Sequence, residues 1–229
     1  KLLLVASLEE DDVEENLAAS MLSNAFLKSG FQLSVPATGR VNFIADALSI
    51  VRLDVEKIKS LNEIDEAITF ATIMPDQLVT AGQMIATLKI IPYAVSKSSI
   101  DAALSVISNS DLVSCHTIVS RKFSLIQTSF EDTKPSIIRA TEDVTRTRLS
   151  HLNCPLIDSQ LTDHTASKVH NALIRARAQG AEAFLLCGAS AIADRLDILP
   201  EALRMVGGDV IHIGLPVYPG NLSMVGEWD

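Results

Sequence analysis

Apolar and polar positions divide the chain into two halves with different rhythms. In the first half the period changes repeatedly. Val13, Leu17, Met21 and Ala25 recur at helical spacing and predict a helix that stops near Gly30. The same pattern sets Glu9, Glu10, Asp11, Asp12, Glu14 and Glu15 on its first turns, where the helix dipole favours negative charge. Residues 2–5 and 31–35 read as strands, residues 43–49 carry a helical pattern behind Asn42 as N-cap, and residues 54–61 read as a helix capped by Asp54. From Ala67 alternation takes over. Ile68, Phe70 and Thr72, then Met84, Ala86, Leu88 and Ile90, predict two strands able to pair, with a turn at Ala81-Gly82-Gln83. A helix over residues 99–108 and a strand over 112–119 complete a mixed α+β N-terminal domain.

Beyond Ser120 the elements alternate regularly, which places the boundary between a domain of residues 1–120 and one of residues 121–229. Strands are expected at residues 123–128, 155–161, 183–187 and 210–213. Between them lie a helix from about Thr141, one carrying Val169, Ala172, Leu173 and Ala176 to a stop at Gly180, and one carrying Leu199, Ala202, Leu203 and Val206 to Gly207-Gly208. This is the α/β pattern of a parallel sheet with helices on both faces. The apolar run Ala183-Phe184-Leu185-Leu186-Cys187 ends on Gly188-Ala189-Ser190, a sharp exit at the strand end where open α/β sheets bind ligands. A right-handed crossover would bring the loop Gly214 to Asn221 to the same sheet edge.

Composition removes several classes. The formal net charge is −9 over 229 residues, with no Lys/Arg-rich stripe, which argues against a general nucleic-acid binder. Apolar residues make up 48% of the chain, yet no run approaches the ~18 consecutive residues of a membrane span. Cys115, Cys154 and Cys187 are scattered and form no C-x-x-C pair, which favours a reducing, cytoplasmic setting over a disulfide framework or a cysteine zinc site. The chain opens on Lys1 with no initiator Met or signal-peptide pattern, and it stops abruptly behind an apolar segment. The second domain is therefore expected to be C-terminally truncated.

The chemistry is bounded first by what is missing. The signatures of phosphate loops, dinucleotide folds, serine hydrolases and zincins are absent, and the five histidines do not cluster at metal-ligand spacing. Ser190 has no histidine near it in sequence to act as its base, so hydrogen bonding to a phosphate or pterin is the expectation for it. Asp194 and Asp197 are close enough to share a Mg²⁺ or orient a substrate, or one of them caps the following helix. Pro36-Ala37-Thr38-Gly39-Arg40-Val41-Asn42 offers either an anion seat of free amides beside the Arg40 guanidinium or a plain capped helix start. His212 is expected inside the second domain or on a pocket wall, and Trp228 as an apolar anchor.

Two separated motifs carry a family resemblance. Gly188-Ala189-Ser190-Ala191-Ile192-x-Asp194-Arg195-x-Asp197-x-x-Pro200 with Gly207-Gly208, and Pro216-Val217-x-Pro219-Gly220-Asn221-Leu222, resemble the molybdopterin-binding domain of the molybdenum cofactor biosynthesis family. The nearest resemblance is to bacterial molybdopterin-binding proteins akin to molybdopterin molybdenumtransferase. Thr38-Gly39-Arg40-Val41-Asn42, Asn62 to Thr69 and Gly82-Gln83-Met84-x-Ala86-Thr87-x-Lys89-Ile90-Ile91-Pro92 extend it across nearly the whole chain. The resemblance implies the molybdopterin-binding fold and a pocket for the pterin and its phosphate. Gly188, Ala189 and Ser190 would stand on one wall and Pro216, Pro219, Gly220 and Asn221 on the other, with Arg40 as a further contact. It further implies Asp194 or Asp197 as the acidic residue that handles Mg²⁺ and molybdate, and a homodimer.

The chain also departs from the family pattern. Ala189 replaces the second glycine of Gly-Gly, and Asn221 stands where the transferases carry the lysine of Pro-Gly-Lys-Pro. The second change removes a positive charge from the oxyanion's seat, which counts against metal insertion and leaves ligand binding intact. The resemblance thus implies either a molybdenumtransferase-type enzyme, placed first, or a non-catalytic carrier of molybdopterin or finished cofactor. Such a carrier would serve a fused or separate cytidylyltransferase.

Overall fold

The computed structural model describes residues 8–108 and 111–229, so the strand expected at residues 2–5 lies outside the described residues. The chain divides into two compact units, the first ending at Ile118 and the second running from Val119 to Asp229.

The first unit is mixed α and β. Its elements in order are β1 (Asp12–Glu14), α1 (Glu15–Ala25), β2 (Phe31–Leu33), β3 (Arg40–Ala45), β4 (Ser49–Leu53), α2 (Val55–Asn62), β5 (Ile68–Thr72), β6 (Leu78–Val79), β7 (Met84–Ile90), β8 (Ala94–Ser96), α3 (Lys97–Ile107) and β9 (Val113–Thr117). An antiparallel sheet of order β2-β3-β7-β5 pairs the two alternating stretches in the register Ile68↔Ile90. Rings of Phe26, Phe31, Phe43 and Phe70 pack 4.9–5.2 Å apart in its core, beside Ala18, Ala19 and Leu22 of α1.

Three expectations change here. The acidic cluster mostly precedes α1 rather than riding on it: Asp12–Glu14 is a strand against β8, and the Glu14 carboxylate accepts the Asn16 and Leu17 amides as the N-cap. The helix also turns a different face inward. Leu17 is 55% exposed and Met21 39%, because Ala18, Ala19 and Leu22 are the residues that meet the sheet. Residues 43–49 are not helical. Thr38 and Gly39 have φ of +49° and +67°, and the Ala37 and Arg40 backbones exchange hydrogen bonds of 3.0 and 3.1 Å, a tight turn that feeds Asn42 and Phe43 straight into β3.

The second unit alternates through β10 (Phe123–Ser129), α4 (Pro135–His151), β11 (Leu156–Asp163), α5 (Ala166–Ala178), β12 (Ala183–Cys187), α6 (Ile198–Met205), β13 (Asp209–Ile213) and β14 (Met224–Glu227). A three-stranded parallel sheet has β10 at its centre, between β11 and β12. Side-chain alternation along β10 puts helices on both faces. Leu125 packs with Leu149 of α4, while the next residue, Ile126, packs with Val169, Ala172, Leu173 and Ala176 of α5 and Leu199 and Ala202 of α6. Among the described residues no helix is long and apolar enough to cross a membrane.

The last predicted strand does not join this sheet. Asp209–Ile213 pairs antiparallel with β14 in a separate two-stranded ribbon. With Asp209, Ile211 and His212 exposed, the segment lacks the continuous burial of an inner parallel strand, and a nearby chain return supplies its partner. Gly208 makes the close approach possible: a side chain there would sit 2.7 Å from the Glu227 carbonyl oxygen and 2.5 Å from Leu203 Cδ1. His212 is accordingly a surface residue, its Nε2 2.9 Å from the Gly214 carbonyl oxygen, and not a core or pocket-wall histidine.

Candidate functional site

Parallel strands bring their C-terminal ends to one edge, and in the second unit three polar side chains meet there. Thr128 is near the end of β10, His164 follows β11 and Ser190 lies three residues past β12. Ser190 Oγ is 2.8 Å from His164 Nε2, and His164 Nδ1 is 2.7 Å from Thr128 Oγ1. Thr128 Oγ1 also accepts the Ala189 N–H at 2.8 Å, which ties the loop back to the central strand. The Phe130 ring meets the imidazole edge to face at 5.1 Å. Sequence reading found no histidine partner for Ser190. The structure supplies one from 26 residues upstream.

The bonding order along this chain of groups follows from burial. Thr128 is 3% exposed, and the acceptor in reach of its hydroxyl hydrogen is His164 Nδ1. Leaving a buried hydroxyl donor unmade costs about 1–3 kcal/mol, so Thr128 donates to Nδ1. The neutral imidazole then carries its proton on Nε2 and donates to Ser190 Oγ. A carboxylate in the place of Thr128 would reverse this order, taking the proton at Nδ1 and leaving Nε2 as a base.

The loop that follows is short of partners. Among the described residues, the backbone amides of Ser190, Ala191 and Ile192 donate to nothing in the chain. Consecutive free amides at the end of a strand suit an anionic oxygen. They border a cleft of about 840 Å³ whose lining includes the side chains of Phe184, Leu186, Leu199, Leu203 and Trp228 and also the acidic residues Glu182, Glu227 and Asp229. A concave lining shared between apolar side chains and polar groups is compatible with a small-molecule site. Trp228 forms part of one wall, its ring 5.5 Å from that of Phe184 at a tilt of 40°, with the Arg177 guanidinium 4.3 Å over it.

Asp194 and Asp197 fold back on their own loop. Asp197 Oδ2 accepts the amides of Ala193 and Asp194, and Asp194 Oδ1 accepts the amide of Leu196 at 2.6 Å. The two amide bonds hold the Asp197 carboxyl below the usual aspartate range. Asp197 stands at the N-cap of α6, but its side chain serves the loop and not the helix amides. Among the described residues no group of three His, Cys, Asp or Glu is placed to hold a metal ion.

The second motif reaches the cleft only at its end. Leu222 and Ser223 line it, while Pro216, Pro219, Gly220 and Asn221 are not among its lining residues. They belong to the excursion that joins β13 to β14, where Asn221 and Ser223 carbonyls accept the Leu215 and Gly214 amides. Arg40 lies in the first unit, exposed at the start of β3. The amides of Ala37, Gly39 and Arg40 in its turn are already bonded, to Arg40 and Ala37 carbonyls and to Asn16 Oδ1. Lys89 is likewise engaged, donating to the Thr38 carbonyl with Glu15 3.7 Å away.

No protein-family model matches the chain, and no curated protein matches it. Among solved structures, NadC from Streptococcus pyogenes is a distant neighbour, with 12% identity and a TM-score of 0.23 over 75% of this chain. The match spans 66% of that structure's length, just under two thirds. At that distance the site's own geometry has to carry the functional reading.

Proposed function

We propose that the second unit binds molybdopterin, with the Gly188–Ile192 loop receiving an anionic oxygen and the adjoining cleft receiving the pterin. The observation that carries this reading is the run of three unpartnered amides at Ser190, Ala191 and Ile192, at the end of a parallel strand and beside a cleft of about 840 Å³. The motif resemblance supplies the ligand's identity. Titration of the chain with molybdopterin, followed by Trp228 fluorescence, tests it. Saturable binding that weakens in Ser190→Ala is expected, and no saturable binding by the unsubstituted chain would refute it.

Of the two activities the resemblance implies, the carrier is favoured over the molybdenumtransferase. Asn221 stands where the resembling transferases carry a lysine, and Asp194 and Asp197 each give one carboxylate oxygen to loop amides. A carrier handing molybdopterin or finished cofactor to a cytidylyltransferase needs tight binding alone. Molybdate-dependent conversion of molybdopterin by the purified chain would restore the transferase reading. In the family's homodimers the first domain of one subunit completes the other's site, and Arg40 would be read in that light.

A further inference from the structure

We infer that Thr128 and His164 are positioning residues that turn Ser190 into a hydrogen-bond donor for the ligand's anionic oxygen. The inference rests on the Gly188–Ile192 loop being the ligand-binding loop. Ser190 Oγ is 2.8 Å from His164 Nε2 and has no other partner among the described residues. With the imidazole proton on Nε2, one lone pair of Ser190 Oγ is used and its own hydrogen is left without an acceptor among the described residues. That hydrogen lies on the residue whose backbone amide, with those of Ala191 and Ile192, is also unbonded. Four donors, three from the backbone and one hydroxyl, thus come from three consecutive residues.

The complementary ligand group is a phosphate or similar oxyanion, which accepts several hydrogen bonds and donates few or none. The same order of bonds excludes a nucleophilic Ser190, because a nucleophile must give its proton to an unprotonated Nε2. Thr128 sets this order from the buried central strand, and its second contact, to the Ala189 N–H, fixes the loop at the same time.

Three measurements on the full chain test the inference. Nitrogen-15 NMR of the His164 ring is expected to show the neutral form protonated at Nε2, and protonation at Nδ1 alone would overturn it. Titration with inorganic phosphate is expected to saturate, with about tenfold weaker binding in Ser190→Ala and in His164→Leu. The double variant should be no weaker than either single one, and His164→Gln, which keeps an N–H at the corresponding position, should recover most of the loss. Fully additive losses, equal binding by His164→Leu and the parent, or no phosphate binding by the parent would each overturn it. A fluorophosphonate probe should leave Ser190 unlabelled, and labelling would mark it as a nucleophile. Because phosphate is the probe, a chain that binds phosphate in this pattern yet ignores molybdopterin loses the proposed function and keeps the relay.

Discussion

Alanine at Gly188 is the smallest change that should disable the site. The added methyl carbon would lie 2.7 Å from the Ser190 carbonyl oxygen, 3.1 Å from Leu199 Cδ1 and 3.7 Å from His164 Cε1. The first contact is roughly 0.7 Å inside ordinary van der Waals separation, and its partner is backbone, so no rotamer change relieves it. The Ser190 peptide has to move, taking with it the free amides and the hydroxyl held by His164. Overpacking of this kind costs about 1–3 kcal/mol. Urea unfolding followed by Trp228 fluorescence should show that loss, and the affinity for inorganic phosphate should fall by more than about tenfold. Gly82→Ala is the control: Gly82 has φ of +82° and nothing within 4 Å of the added atom, so only the backbone conformation is penalised, by about 1–2 kcal/mol, with no change in phosphate binding. Parent-like stability and phosphate affinity in Gly188→Ala would refute the steric reasoning.

The remaining predictions reach other parts of the chain. Asp197 has a folded-state pKa below its ordinary value, so its contribution to stability is present above the unfolded pKa of about 3.9 and is lost as pH falls through the folded one. Asp197→Asn should flatten that acid limb of a stability-against-pH curve, and an unchanged limb would show that the carboxylate is not what holds the loop. In α1, Leu22→Ala should cost about 2–5 kcal/mol, because Leu22 is fully buried, whereas Leu17→Ala, at a position 55% exposed, should stay within about 0.5 kcal/mol in urea titrations read by circular dichroism. Equal losses would contradict the helix face described above. Burial pushes the Cys187 thiol up from its ordinary pKa, so its alkylation at neutral pH should be at least about tenfold slower in the folded chain than in urea; equal rates would refute that.

How much of this was legible in the sequence depended on where the information lay. Elements whose burial is set by their own periodicity were readable: the continuous apolar run of β12 and the stripe Val169, Ala172, Leu173 and Ala176 of α5 occur where the pattern puts them. Elements set by distant pairing were not. Residues 43–49 carry a helical spacing of apolar side chains, but the Thr38-Gly39 turn and the partners offered by β2 and β7 override it. In α1 two stripes compete, and only contact with the sheet selects Ala18 and Leu22 over Leu17 and Met21.

The site divides along the same line. Gly188 and Ser190 announced themselves as a break after an apolar strand, a local signal. Thr128 and His164 stand 62 and 26 residues before Ser190, and neither belongs to a motif. A usable signal was nevertheless present, because each lies at or just past the end of a predicted strand. Once three strands are taken as parallel neighbours, their ends share an edge, and the polar residues Thr128, His164 and Ser190 become candidates for one site before any coordinate is known. The step that sequence could not take is the order β11-β10-β12, which puts Thr128 in the middle and makes it the partner of both His164 and Ala189. That order also decides the chemistry, since the residue on the central strand is a threonine and not an aspartate, and a hydroxyl there sets up a donor where a carboxylate would have set up a base.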